Sequence, residues 1–284
     1  MYNLDDLKLI AQGGQALIYE IDDNKILRVL RSKEEGATLK AEIATMTALY
    51  EKGKTVPKIY DYIEIDGKPA IVMEHLHGLS MLELFKKQPL KLAANAVLLA
   101  NLHLETAEAA EGLPLMSIND RAAYLTEKAD IPEAELKAFV LALLSELPRG
   151  NSICHGDFHP GNIIINNKKY YIIDWFGATS GDIQSDIAHT YLILRNTPKM
   201  PGLSKAQITL QDWYGSLLSR KYLYACNRLH KIDWGNFSKW LIVRAAERLF
   251  YGMPQEKPAL ISFLRSCKKA QVTNLPVENW WKLL

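Results

Sequence analysis

One segment of the chain, CHGDFHPGNIIINNKKYYIIDW from Cys154 to Trp175, constrains the fold more than any other. Two apolar runs, Ile163-Ile164-Ile165 and Tyr170-Tyr171-Ile172-Ile173, flank the polar turn Asn166-Asn167-Lys168-Lys169, a pattern that predicts a β-hairpin. A hairpin brings its open ends together, and these ends carry Asn162 and Asp174. Two metal-ligand types therefore converge on one spot, with a further carboxylate, Asp157, just upstream. Phosphoryl transfer from a metal–nucleotide complex needs such a set: an Asp facing the acceptor hydroxyl, then an Asn and a second Asp holding metal. Singly, each residue has a plainer reading: a turn or cap for the Asp, a satisfied loop position for His155. Their joint spacing carries the functional reading.

His155-Gly156-Asp157, Asn162 and Ile173-Asp174-Trp175 together resemble the aminoglycoside phosphotransferase and choline kinase family, which shares the protein-kinase fold. Protein kinases show H-R-D and D-F-G, and choline kinases commonly show H-N-D, so H-G-D is nearer the aminoglycoside side. The resemblance runs from a glycine loop near residue 13 to Asp186 and is weakest beyond residue 190. It implies an α+β, bilobal protein-kinase-like fold. Residues 1–73 form a small antiparallel-sheet lobe with one main helix, 74–78 a hinge, and 79–284 a larger, mostly helical lobe with the catalytic loop and acceptor site. It also implies ATP as cofactor, with GTP as the alternative, and Mg²⁺.

In the amino-terminal part, Leu7 to Asp22 reads as two strands around Gln12-Gly13-Gly14-Gln15-Ala16. Glycines let backbone amides approach phosphate oxygens, although Gly-Gly between strands also suits a plain hairpin. In the next strand, Lys25 to Leu30, alternation puts Ile26, Arg28 and Leu30 on one face. A charge on an apolar face needs a partner, and Glu42, on a helix predicted from Gly36 to Lys52 with Leu39, Ile43, Met46 and Leu49 at helical spacing, supplies one. Arg28 paired with Glu42 then stands where the kinase pattern has Lys with Glu, as the choline kinases also have Arg; an ordinary edge-strand arginine is the alternative, with Lys25 as the fallback phosphate ligand. Two further strands, Val56 to Ile63 and Ala70 to Met73, turn at Asp66-Gly67, and Glu74, His75 and Leu76 match the hinge that holds the adenine edge.

Beyond Leu82 the pattern is helical. One helix is predicted over Leu92 to Ala110, with His103 as a packing residue, and another opens at Pro132 and stops at Pro148. Asp186 heads a helix, as a cap or, by the resemblance, as a brace for the catalytic loop. By the resemblance His155 braces the same loop, and His159 takes the place where protein kinases put a Lys, within reach of the transferred phosphoryl group, with a loop-packing histidine as the alternative. The span from Asp174 to Asp186 is too short for the activation segment that holds a peptide, which points to a small-molecule acceptor. Most of the aromatics after residue 190, among them Trp213, Tyr214, Tyr222, Tyr224, Trp234, Phe237, Trp240, Phe250, Tyr251, Trp280 and Trp281, are expected in the core.

The remaining features bound the class of protein. The start, MYNLDDLKLI, lacks the basic-then-apolar pattern of a secretory signal, no run approaches a membrane span, and three widely spaced cysteines suggest reduced thiols, so a cytoplasmic protein is expected. The net charge of +2 conceals an asymmetry. From Asp182 onward basic residues outnumber acidic ones by about two to one, a balance that disfavours a polycationic acceptor. The expected partner is a small-molecule hydroxyl acceptor, with neither nucleic acid nor membrane. The expected activity is Mg²⁺-dependent transfer of the ATP γ-phosphate to an amino alcohol, sugar or aminoglycoside-like metabolite; the alternative is a nucleotide-binding pseudokinase without turnover.

Overall fold

The computed structural model describes residues 2–196, 202–252 and 254–270. In chain order the strands are β1 (Lys8–Gln12), β2 (Ala16–Asp22), β3 (Lys25–Leu30), β4 (Ile59–Ile65), β5 (Lys68–Glu74), β6 (Leu79–Ser80), β7 (Ser152–Cys154), β8 (Ile163–Asn166), β9 (Lys169–Ile172) and β10 (Thr179–Gly181). The helices are α1 (Gly36–Glu51), α2 (Met81–Lys87), α3 (Leu92–Glu105), α4 (Ile118–Lys128), α5 (Ala134–Ser145), α6 (Ile183–Arg195), α7 (Lys205–His230), α8 (Trp234–Tyr251) and α9 (Lys257–Lys269). The chain divides into two compact units. One holds the described residues up to Lys87 with Gly112–Leu115 and Pro160–Ala178. The other holds Gln88–Glu111, Met116–His159 and the described residues from Thr179 onward.

The first unit is built on an antiparallel sheet in the order β1-β2-β3-β5-β4. β4 and β5 meet at Asp66 and Gly67, both at positive φ (52° and 70°), the two-residue turn whose twist matches that of the flanking strands. Leu27, Val29, Ile65, Ala70 and Val72 form a buried cluster on this sheet. Helix α1 buries Leu39, Met46 and Leu49 as its spacing predicts, but it also buries Glu42 and leaves Ile43 only half-buried. The inward face is thus rotated toward the carboxylate, whose partner lies on β3.

The same unit contains the predicted hairpin. β8 pairs β9 with Ile163 opposite Ile172, around a turn at Asn167 and Lys168 (φ 49° and 65°), and β6 adds a third strand alongside β8. Gly78 permits that addition: a Cβ there would fall 2.0 Å from the Ile165 carbonyl oxygen. β9 stops at Ile172, one residue short of the predicted run.

Helices dominate the second unit. α3 packs on α7, α6 lies against both α7 and α8, and β7 pairs β10 with Cys154 opposite Thr179. Ser204 and Gln207 close a capping box at the start of α7, and Asp233 caps α8 by accepting from the Gly235 and Asn236 amides. The helix expected to reach Ala110 ends at Glu105, because the chain turns there to bond the Ala110 amide to the Asn151 carbonyl (2.9 Å). The expectation that most late aromatics are core needs correction. Tyr222, Phe237 and Trp240 are buried, but Trp213, Tyr224, Phe250 and Tyr251 are 45–64% exposed, since a helix packed along one stripe turns its remaining positions outward. Trp280 and Trp281 lie outside the described residues. Among the described residues, no helix is long and apolar enough to cross a membrane.

Candidate active site

In the first unit the candidate residues collect around Arg28. β3 places its side chain in the interior, where Nη1 donates to Glu42 Oε1 at 2.7 Å. Nη2 lies 3.6 Å from Asp174 Oδ1, and the guanidinium stands 5.9 Å over the Phe176 ring. Burial opposes the charge on Arg28, but the Glu42 and Asp174 carboxylates outweigh it and hold the guanidinium protonated. For Glu42 burial is the larger effect and pushes its carboxyl up, against the Arg28 charge and hydrogen bonding from Arg28 and the Trp175 backbone. Lys25, the fallback phosphate ligand, instead places its ammonium 5.1 Å over the Tyr60 ring.

The hairpin delivers Asn162 and Asp174 to adjacent positions. The Ile173 amide donates to the Asn162 carbonyl at 3.0 Å, one step beyond the Ile163–Ile172 pair. Asp174 itself adopts a left-handed backbone (φ 65°, ψ 61°), uncommon for a residue with a Cβ, and opens a 3₁₀ turn over Trp175–Gly177 that packs on α1. Trp175 is buried and donates its indole N–H to the Ile172 carbonyl, fixing that turn. Among the described residues no group of three or more His, Cys, Asp or Glu could hold a metal. One amide and one carboxylate nevertheless fit Mg²⁺, which is commonly held by one or two protein oxygens together with substrate phosphates.

The other residues of this unit fall as follows. Gly13 donates its amide to the Ala16 carbonyl, and a Cβ on Gly14 would meet nothing within 4 Å. Packing therefore does not demand glycine at Gly14. In the segment expected to be a hinge, the Glu74 and His75 amides bond the Lys58 and Asn24 carbonyls (2.9 and 2.8 Å), and His77 Nε2 lies 2.5 Å from the Asp23 carbonyl oxygen. Leu76 follows as the next backbone position.

In the second unit the loop after β7 is anchored by Asp186. Its carboxylate accepts the His155 amide at 2.6 Å on one oxygen and the Gly156 amide at 2.9 Å on the other. Gly156 takes φ 81°, so the chain doubles back, and the Asp157 amide donates to His155 Nδ1 at 3.2 Å. Phe158 is fully buried, with its carbonyl accepting from the Thr190 hydroxyl at 2.9 Å. With the residues on either side of it fixed, Asp157 directs a half-exposed carboxylate outward, 3.6 Å from His159 Nε2. The helix cap is Asp182, not Asp186, which sits in the first turn of α6 and faces the loop.

Sequence reading missed what lies behind Asp186. His103, on α3, has Nε2 3.0 Å from Asp186 Oδ2 and Nδ1 2.5 Å from the Tyr222 hydroxyl, and its ring stacks on Phe158 at 4.1 Å. Arg244, on α8, donates to Glu247 at 2.6 Å with Nη2 3.9 Å from Asp186 Oδ1. Burial alone would push the Asp186 carboxyl up; His103, by hydrogen bond and charge, and then Arg244 hold it well below the usual range. Lone His, Tyr and Arg residues on three separate helices carry no local pattern. Cys154, at the end of β7, is buried with its thiol pushed well up by burial, which makes it inert.

The class these features define is a kinase-like fold: an antiparallel sheet with a buried Arg–Glu pair, a helical unit, and a carboxylate-anchored loop followed by the hairpin whose ends carry Asn162 and Asp174. Over residues 6–215 the sequence matches the phosphotransferase enzyme family (APH), and the chain belongs to that family. A comparison with curated proteins returned no match. Among solved structures the chain is similar to the apo form of a thermostable mutant of aminoglycoside phosphotransferase APH(4)-Ia, at 16% identity and a TM-score of 0.61, covering 93% of each chain. It is similar to aminoglycoside-3'-phosphotransferase of type VIII at 18% identity and a TM-score of 0.60, covering 85% of this chain and 93% of that one. Amicoumacin kinase hAmiN, in complex with AMP-PNP, Ca²⁺ and Ami, is similar at 17% identity and a TM-score of 0.64, covering 100% of this chain and 93% of that one.

Proposed function

We propose that the protein transfers the γ-phosphate of ATP to a hydroxyl of a small molecule. The observation that carries this reading is the Arg28 side chain, which joins the buried Glu42 to Asp174, so that a fixed cation adjoins a metal-ligand carboxylate at the open end of the hairpin. In this reading Arg28 positions the phosphates and Glu42 positions Arg28. The backbone at Gly13 and Gly14 covers the phosphates, Gly14 being open to approach, and the adenine edge meets the backbone at Glu74 to Leu76. Asn162 and Asp174 would hold Mg²⁺, which neutralises charge on the β- and γ-phosphates when bound.

Asp157 orients the acceptor hydroxyl and takes its proton, late in a largely dissociative transition state. His159, close to that carboxylate, faces the transferred phosphoryl group, while Asp186 and His155 hold the loop. The absence of a long segment between Asp174 and Asp186 supports a small acceptor over a peptide, and the excess of basic residues beyond Asp182 disfavours an aminoglycoside.

The test is an acceptor screen: ADP release from Mg²⁺–ATP measured against amino alcohols, sugars, aminoglycosides and vitamin precursors. Acceptor-dependent release with one chemical class supports the reading. Tight nucleotide binding without any acceptor-dependent turnover would favour a pseudokinase instead.

A further inference from the structure

Arg28 stands where a protein kinase has lysine, and its fork addresses two carboxylates at once. Nη1 donates to Glu42 at 2.7 Å while Nη2 lies 3.6 Å from Asp174. A lysine ammonium is a single point charge, whereas a planar guanidinium presents separate N–H groups from one rigid frame. The frame here has little freedom: the side chain is 11% exposed, pinned by the Glu42 bond and lying over Phe176. Asp174 differs. Its side chain is 42% exposed, and its left-handed backbone is a conformation that persists only where the surroundings fix it.

We infer that Arg28 is the counter-cation of Asp174 in the nucleotide-free protein, so that a divalent metal competes with the guanidinium and enters together with the nucleotide. The inference rests on the phosphotransfer reading for the role of Asp174 and concerns the order in which that site fills. A free dication approaching Asp174 meets a fixed positive group 3.6 Å from the carboxylate, which offsets part of its charge and repels the incoming cation. Nucleotide phosphates change this balance, because their oxygens are strong acceptors for the Nη2 N–H groups and bridge to the metal themselves. The Nη2 N–H groups then donate to the phosphates in place of Asp174, whose more exposed carboxylate is released to the metal, while the Glu42 bond stays in place. Metal and nucleotide enhance each other's binding by the same factor, as linkage requires.

The test uses the full chain, Mn²⁺ as the metal probe and AMP-PNP as the nucleotide, with free Mn²⁺ read by electron paramagnetic resonance. Two variants decide it. Arg28→Lys keeps a cation for Glu42 but lacks the second arm of the fork. The double variant Arg28→Met with Glu42→Gln removes both charges, leaving no buried carboxylate unpaired. Without nucleotide, Mn²⁺ binding should tighten by about fivefold in both, the scale of a partly exposed ion pair. The enhancement of Mn²⁺ binding by AMP-PNP should shrink in parallel. An unchanged or weaker nucleotide-free Mn²⁺ affinity in Arg28→Lys, with cooperative melting retained, overturns the inference, and this variant decides alone should the double variant fail to fold. Asp174→Asn should abolish the Mn²⁺ site in every background. A wild-type chain that binds no Mn²⁺–AMP-PNP would overturn the phosphotransfer reading itself, a result separate from the nucleotide-free measurement.

Discussion

Asp186 accepts the backbone amide of His155 at 2.6 Å, so a side chain on α6 sets the path of the loop that carries Asp157. The carboxylate is fully buried and meets two loop amides and His103, a satisfied set of the kind that makes a buried charge tolerable. Replacing it with Asn substitutes an N–H donor for an acceptor facing another donor. Asp186→Asn should lower kcat by about tenfold or more with little change in KM, because the loop and not substrate contact is disturbed. Steady-state kinetics check this; a variant with raised KM and intact kcat would place Asp186 in substrate binding.

The hydroxyl of Tyr222 lies 2.5 Å from His103 Nδ1. The other ring nitrogen, Nε2, meets Asp186 at 3.0 Å, so this contact helps hold the imidazole against the carboxylate that anchors the loop. Tyr222→Phe should cost about 1 kcal/mol of stability, the loss of one buried hydrogen bond with its partner left unsatisfied. Denaturant unfolding measures the loss, and an unchanged midpoint would show the bond to be without weight.

Glu42→Ala should be far more damaging than its distance from the chemistry suggests. It leaves the Arg28 guanidinium buried without its closest partner, a change that costs about 3 kcal/mol or more. Glu42→Gln keeps a hydrogen-bond acceptor and should fold, with weakened nucleotide affinity. Thermal melting alongside nucleotide titration separates the two effects.

Much of this arrangement was legible because the relevant signals are local. Alternation along Lys25–Leu30 turned Arg28 inward, and helical spacing brought Glu42 to meet it. The apolar runs on either side of Asn166–Lys169 gave the hairpin that aligns Asn162 with Asp174. What stayed hidden depends on contacts far apart in the chain. His103, Tyr222 and Arg244 reach Asp186 from three helices, and no spacing rule relates them. The exposure of Trp213 and Tyr224 stayed hidden for the same reason, since composition marks aromatics as core without saying which face of α7 is covered.

His189 gives a pH dependence with a definite sign. Burial, with the Arg244 and Arg248 charges, holds its imidazole well below 6.5 in the folded chain. The unfolded chain therefore binds the extra proton first, so His189 favours folding fully above about pH 6.5 and progressively less as the pH falls below it. Melting temperature should be flat above pH 7 and decline toward pH 5, and His189→Gln should flatten that decline. An equal decline in the variant would assign the effect to other groups.

The most direct test of the account compares wild type with Asp157→Ala in acceptor-dependent ADP release from Mg²⁺–ATP, using whichever acceptor the screen identifies, with nucleotide affinity measured in parallel. Loss of the group that orients and deprotonates the hydroxyl should reduce turnover by about 10²–10⁴-fold, while folding and nucleotide binding persist. Turnover at the wild-type rate in Asp157→Ala would contradict the role given to the loop that Asp186 holds in place.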